Sequence, residues 1–153
     1  MMGATVTYPD LAGKVALVTG SSRGIGAATC RLLAANGAKV AVNGRNPEAV
    51  DARVREIAAT GGSAIGVVSD AGDAAGLERM RREIEGRLGP VDVLCAFVGA
   101  GGRPEPAAQM AEETWRAAID GNLTATFLAV RCFLPGMLER RRGAIVTMAS
   151  SAG

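Results

Sequence analysis

Apolar residues occur along this chain in two alternating rhythms, short unbroken runs and longer stretches spaced by three or four. KVALVTG (14–20) is a compact apolar run ending in glycine, the pattern of a buried strand. GIGAATCRLLAANG (24–37) follows with Ile25, Cys30 and Leu33 at helical spacing and Gly37 as a stop. AKVAVNG (38–44) predicts a second strand. PEAVDARVREIAATGG (47–62) predicts a helix that Pro47 opens and Gly61-Gly62 closes. AIGVVSD (64–70) reads as a third strand, 73–88 as a charged amphipathic helix and VDVLCAFVG (91–99) as a fourth strand. Residues 112–139 predict one long helix, striped by Trp115, Ile119, Leu123, Phe127, Val130, Leu134 and Leu138, with a kink expected at Pro135. GAIVTMAS (143–150) is the fifth strand.

Strict alternation of strand and helix builds a parallel sheet, because parallel neighbours need crossover connections and these are right-handed. The expected fold is therefore α/β: a doubly wound parallel sheet of Rossmann type in three layers. It is incomplete on its C-terminal side, since no helix follows the fifth strand. At 153 residues the chain reads as one domain.

Composition narrows the chemistry. A formal charge of +2 without a basic stripe argues against a nucleic-acid partner. Arg140-Arg141-Arg142 falls at a predicted helix end, where it complements the helix dipole. No unbroken apolar run approaches membrane-spanning length, so no membrane role is expected. Cys30, Cys95 and Cys132 lie inside apolar patterns without metal-ligand spacing, which reads as reduced thiols of a cytoplasmic protein. With no histidine, imidazole acid–base catalysis is excluded and no metal site is expected.

TGSSRGIG (19–26) joins the first strand to the first helix. Backbone N–H groups at a helix N-terminus bind a pyrophosphate if the chain can approach closely. Gly20 and Gly24 permit that approach and the tight turn, and Gly26 lets helix and sheet pack closely. Ser22, Arg23 and Ile25 complete the candidate cradle. The T-G-x-x-x-G-x-G spacing resembles that of the short-chain dehydrogenase/reductase family, especially its 3-oxoacyl reductases. VVSD, DGNLTATFLAV and GAIVTMASSAG agree, so the resemblance runs from about Leu11 to the last residue. It implies that Asp70 meets the adenine ring and that Ala71 supplies backbone contact. It also implies that Asn122 holds a water in a proton relay and that Ser150 orients the carbonyl oxygen. Asn122 is expected mid-helix on the face of Ile119 and Thr126, toward the sheet. The family's Asn-Asn-Ala-Gly is replaced by Ala96-Phe97-Val98-Gly99. Phe97 and Gly99 remain cofactor-site candidates, and the two lost amides must be replaced or done without.

The second strand ends VAVNGRNPE, with Gly44 where an NAD-type acid would stand and Arg45 next to it. Arg23 and Arg45 around an uncharged gap suit a ribose 2′-phosphate, so NADP(H) is expected over NAD(H). The family's tyrosine–lysine proton donor lies on the helix after the serine strand. Residues 1–153 are accordingly read as a dinucleotide-binding domain truncated before that helix and inactive alone. Tyr8 matches nothing in the motif. The expected partners are the dinucleotide, a small carbonyl substrate and, from the resemblance, further copies of the chain. Two functions stay open: an NADPH-dependent carbonyl reductase completed by further polypeptide, and a non-catalytic NADP(H)-binding module or truncated paralogue.

Overall fold

The computed structural model describes residues 7–99 and 105–150. A 3-10 turn at Pro9–Leu11 leads into β1 (Val15–Val18), α1 (Gly24–Ala35), β2 (Lys39–Gly44), α2 (Pro47–Ala59), β3 (Ser63–Val68), α3 (Ala74–Arg87) and β4 (Val93–Ala96). Then come α4 (Glu112–Ile119), a π-helical turn (Asp120–Thr124), α5 (Ala125–Glu139) and β5 (Ala144–Thr147). All neighbouring strands are parallel, in the order β3-β2-β1-β4-β5. The order reverses at β1, which pairs with both β2 and β4, and that reversal opens a crevice at the strands' C-terminal ends.

Alternate residues of each strand feed opposite faces. Ala16 and Val18 join Cys30, Val40, Val42, Val50 and Ile57 under α1 and α2. Leu17 and Leu94 join Leu77, Met80, Ile84 and Phe133 under α3 and α5. The expected three-layer α/β architecture is therefore present. The strands are shorter than the apolar runs that announced them: β4 stops at Ala96 and β5 at Thr147. Their last apolar residues leave the ladder and line the crevice or the open edge.

The long helix departs from expectation in two ways. It is interrupted by the π turn around Asn122. The face that packs on the sheet is Ala125, Ala129, Phe133 and Met137, while Trp115, Leu123, Phe127 and Leu138 stay more than half exposed. Both rows repeat at helical spacing. The row led by two alanines wins the sheet because small side chains let a helix approach closely. Glu112–Glu139 also has the length and composition to cross a membrane, although no unbroken apolar run marks it. Only Ala125, Ala129, Phe133 and Met137 of this segment are buried, all of them in α5. β5 forms the edge of the sheet, with Val146 and Thr147 exposed.

The arginine cluster does more than answer a dipole. Arg140 donates to Val91 O at 2.9 Å, and Arg142 donates twice to Asp92 Oδ1, at 3.0 and 2.7 Å. Asp92 Oδ2 accepts the Val15 N–H at 3.1 Å. One buried carboxylate thus ties β1, β4 and the start of β5 together. Burial would raise its pKa, but the Arg142 hydrogen bonds, the Val15 amide and the charges of Arg142 and Lys14 prevail and lower it. A lowered folded-state value stabilises above the ordinary carboxylate range, near about 3.9, and that contribution disappears as pH falls through the folded value. Asp92→Asn is therefore expected to melt below the wild type at pH 7, by about 1–3 kcal/mol of stability, and to converge with it in acid. Melting curves across the acid range check this; a constant offset at every pH would refute it. The three thiols are free, with Cys30 and Cys95 buried and Cys132 half-buried. Burial pushes Cys30 up to about 12 and Cys132 up to about 11.

Candidate functional site

The crevice is built from the turn after β1. Thr19 is buried, and its hydroxyl accepts the N–H groups of Phe97 at 2.9 Å and Val98 at 3.1 Å while lying 3.5 Å from Cys95 O. These bonds hold the segment after β4 against the glycine loop without either asparagine of the related motif. Ser21 and Asn43 exchange bonds across the β1–β2 boundary. Ser21 N–H donates to Asn43 O at 2.7 Å, and Asn43 N–H donates to Ser21 Oγ at 2.9 Å. The Asn43 amide accepts from Gly20 N–H at 3.3 Å and donates to Val67 O and Ser69 O at 3.1 and 3.0 Å. One buried side chain thus joins the C-terminal ends of three adjacent strands.

Gly20 and Gly24 take positive φ, +65° and +58°, where a side chain would be strained. A Cβ on Gly26 would lie 2.8 Å from Ser21 Cα, so here the requirement is room. The helix starts differ in a way that bears on ligand binding. Asn46 caps α2 through Ala49 N–H, and Asp73 caps α3 through the N–H groups of Ala75 and Gly76. Arg23, the N-cap of α1, makes no such bond. The first turn of α1 therefore offers its N–H groups and its positive dipole end to an anion.

A cleft of about 470 Å³ opens at this point, and Gly20, Ser22, Arg23, Arg45, Asp70, Ala71, Phe97 and Gly99 all line it. Gly24, Ile25 and Gly26 form the first turn of α1 and do not line the cleft, and Ile25 is largely exposed. Asp70 Oδ1 accepts the Gly72 N–H at 2.8 Å, and its other oxygen lies 4.0 Å from Arg45. Arg45 keeps 81% of its side chain exposed. Lys14 and Lys39 lie at the opposite, N-terminal edge of the sheet.

Asn122 is exposed, which corrects the expectation of a sheet-facing, buried amide. Its Nδ2 donates to Ala118 O at 2.8 Å, and its Oδ1 would stand 2.9 Å from a Cβ on Gly99. Asn122 thus adjoins the cleft through Gly99, and the π turn is the local device that places it there. Ser150 lies beyond the C-terminal end of β5, exposed and outside the cleft lining. Ser151 falls outside the described residues. Thr19, Ser21 and Asn43 were not singled out from sequence, although Thr19 opens the glycine motif and Asn43 ends an otherwise apolar strand.

Known proteins share this fold. The family model for short chain dehydrogenases matches residues 14–153. The chain is 36% identical over 140 residues to the 2,3-dihydro-2,3-dihydroxybenzoate dehydrogenase of Bacillus subtilis, covering 92% of this chain and 53% of that protein. It is 40% identical over 144 residues to a 3-oxoacyl-[acyl-carrier-protein] reductase of Synechocystis sp., covering 94% and 58%. A metagenomic short-chain oxidoreductase in complex with NADP superposes with a TM-score of 0.85 at 38% identity, over 92% of this chain and 63% of that one. A short-chain type dehydrogenase/reductase from Mycobacterium marinum gives 0.88 at 32% identity, over 94% and 58%. The chain thus spans little more than half the length of these two curated relatives. With the family model matched from Lys14 to Gly153 and the same fold in these solved relatives, the chain belongs to the short chain dehydrogenase family.

Proposed function

We propose that residues 1–153 are the coenzyme-binding part of an NADP(H)-dependent reductase that converts a 3-oxoacyl-type carbonyl to an alcohol. The observation that carries this reading is that Arg23, the N-cap of α1 and without a side-chain cap bond, borders the cleft together with Arg45, with no acid at Gly44. These groups would hold a dinucleotide: the first-turn N–H groups its pyrophosphate, Asp70 and Ala71 its adenine, and the two guanidinium groups its 2′-phosphate. When bound, the reduced nicotinamide supplies a hydride for the carbonyl carbon. Phe97 and Gly99 border the nicotinamide half. Ser150 donates a hydrogen bond to the substrate oxygen, and Asn122 holds a water for proton delivery. The resemblance implies a tyrosine–lysine pair as proton donor, and residues 1–153 hold no counterpart of it. The protein works in the cytoplasm, and the exposed row Trp115, Leu123, Phe127 and Leu138 supports pairing with a second copy.

The test is the full-length protein with NADPH and a β-keto ester or 3-oxoacyl thioester, following loss of the reduced coenzyme. Turnover is expected with NADPH in preference to NADH, and Ser150→Ala should lower kcat by roughly 10²–10³-fold. Ser150, which stands outside the cleft lining, favours a second reading, a non-catalytic NADP(H)-binding module. Binding without turnover of any carbonyl would support that module. Absence of binding would remove both readings.

A further inference from the structure

We infer that Asn43 is a positioning residue that joins the two ends of the cleft, so that a ligand's pyrophosphate and its adenosine bind as one coupled event. This rests on the dinucleotide reading above and concerns how its two halves are linked.

Asn43 stands near the end of β2, the strand between β1 and β3, and is 1% exposed. Both amide hydrogens of its side chain are taken: Nδ2 donates to Val67 O at 3.1 Å and to Ser69 O at 3.0 Å. Its Oδ1 accepts the Gly20 N–H at 3.3 Å. A side-chain amide has two donors and one acceptor oxygen, so no hydrogen is left for a ligand, although the residue borders the cleft. Its effect on a ligand therefore passes through Gly20 and Ser69. Gly20 belongs to the glycine loop, and Ser69 immediately precedes Asp70 and Ala71, the proposed adenine contacts. Main-chain bonds tie each segment to β2 separately: Ser21 N–H to Asn43 O at 2.7 Å, and Ser69 N–H to Gly44 O at 3.1 Å. Among the described residues, Asn43 is the side chain that hydrogen-bonds to both segments. The amide is planar, so the loop cannot shift against Ser69 without breaking one of these bonds. A buried polar group left without its partner is costly, which keeps the two ends at one separation. A ligand that spans this separation meets both ends already in place and loses no affinity to ordering them.

The test compares the full-length protein with its Asn43→Val form, which suits a buried strand and removes all three side-chain bonds. Dissociation constants are measured for NADP+, for adenosine 2′-phosphate and for inorganic pyrophosphate, well below the melting temperature. Asn43→Val should weaken NADP+ about tenfold and leave each fragment within about twofold of wild type. In the ligand-free protein, amide exchange at Gly20 should quicken more than at Val40, which is wholly buried in the core of β2. A purely structural role would speed both amides alike and leave the ratio of NADP+ to fragment affinity unchanged. Should Asn43→Val not fold, Asn43→Ser carries the same comparison. The proposal is overturned if NADP+ keeps its wild-type affinity, if the fragments weaken as much as NADP+, or if Gly20 exchanges no faster relative to Val40. Should the wild type bind no dinucleotide, the coenzyme reading falls together with the coupling, while exchange at Gly20 still shows whether Asn43 holds the loop.

Discussion

Gly26→Ala is expected to lower stability by about 1–3 kcal/mol and to abolish measurable coenzyme binding. The added Cβ would stand 2.8 Å from Ser21 Cα and 2.9 Å from Gly20 O, with backbone on both sides. A side chain could rotate away from such a contact, but this backbone cannot. Ser21 Oγ donates to Val18 O at 2.6 Å, and the exchange with Asn43 holds the same residue from β2. Accommodating the methyl group therefore means breaking those bonds or sliding the first turn of α1 away from the loop. Either movement misaligns the N–H groups proposed to hold the pyrophosphate. Gly24→Ala is the informative control. A Cβ there meets nothing within 4 Å, so only the positive φ of +58° resists it, at about 1–2 kcal/mol. Thermal melts and calorimetric titration with NADP+ separate the two. Wild-type affinity in Gly26→Ala would mean that the loop is softer than its hydrogen bonds imply.

The second large effect is on coenzyme discrimination. Arg23→Ala and Arg45→Ala are each expected to weaken NADP+ binding roughly 10- to 100-fold, the scale of a lost charge-assisted hydrogen bond, with little effect on NAD+. Arg45 does have a carboxylate nearby, since Asp70 lies 4.0 Å away, but both side chains are more than half exposed. An exposed pair at that distance is worth about 0–1 kcal/mol, so Asp70 does not hold Arg45 back from a phosphate. The preference for NADP+ should also shrink as salt rises, because these guanidinium groups are open to solvent. Titrating both coenzymes against each variant at two ionic strengths reads these effects together. Equal loss of NADP+ and NAD+ affinity would assign the arginines to the loop's architecture instead of the 2′-phosphate.

Much of the fold was legible because its signals are local. A compact apolar run marks β1, and Pro47 starts α2. Thr19 to Gly26 announce a strand-to-helix turn by glycine spacing alone. Arg45 and Gly44 were legible as a possible coenzyme determinant because they stand at the end of a recognisable strand. The long helix was harder. Its stripe of large residues and its row of Ala125, Ala129, Phe133 and Met137 repeat with the same spacing, so periodicity could not say which row meets the sheet. The π turn, which leaves Asn122 exposed beside Gly99, adds a local change of register that no apolar pattern reports.

The chain's own order of residues determined the alternation of strand and helix, the glycine loop and the family to which both belong, because each depends on neighbours within a few positions. Tertiary structure decided the rest. Thr19 anchors Phe97 from 78 residues away, and Asn43 ties Gly20 to the ends of β2 and β3. Ser22 comes to lie against Gly44 across the β1–β2 boundary. Such contacts depend on which strands become neighbours, and side-chain volumes and hydrogen-bond directions acquire partners only once the sheet has brought them together.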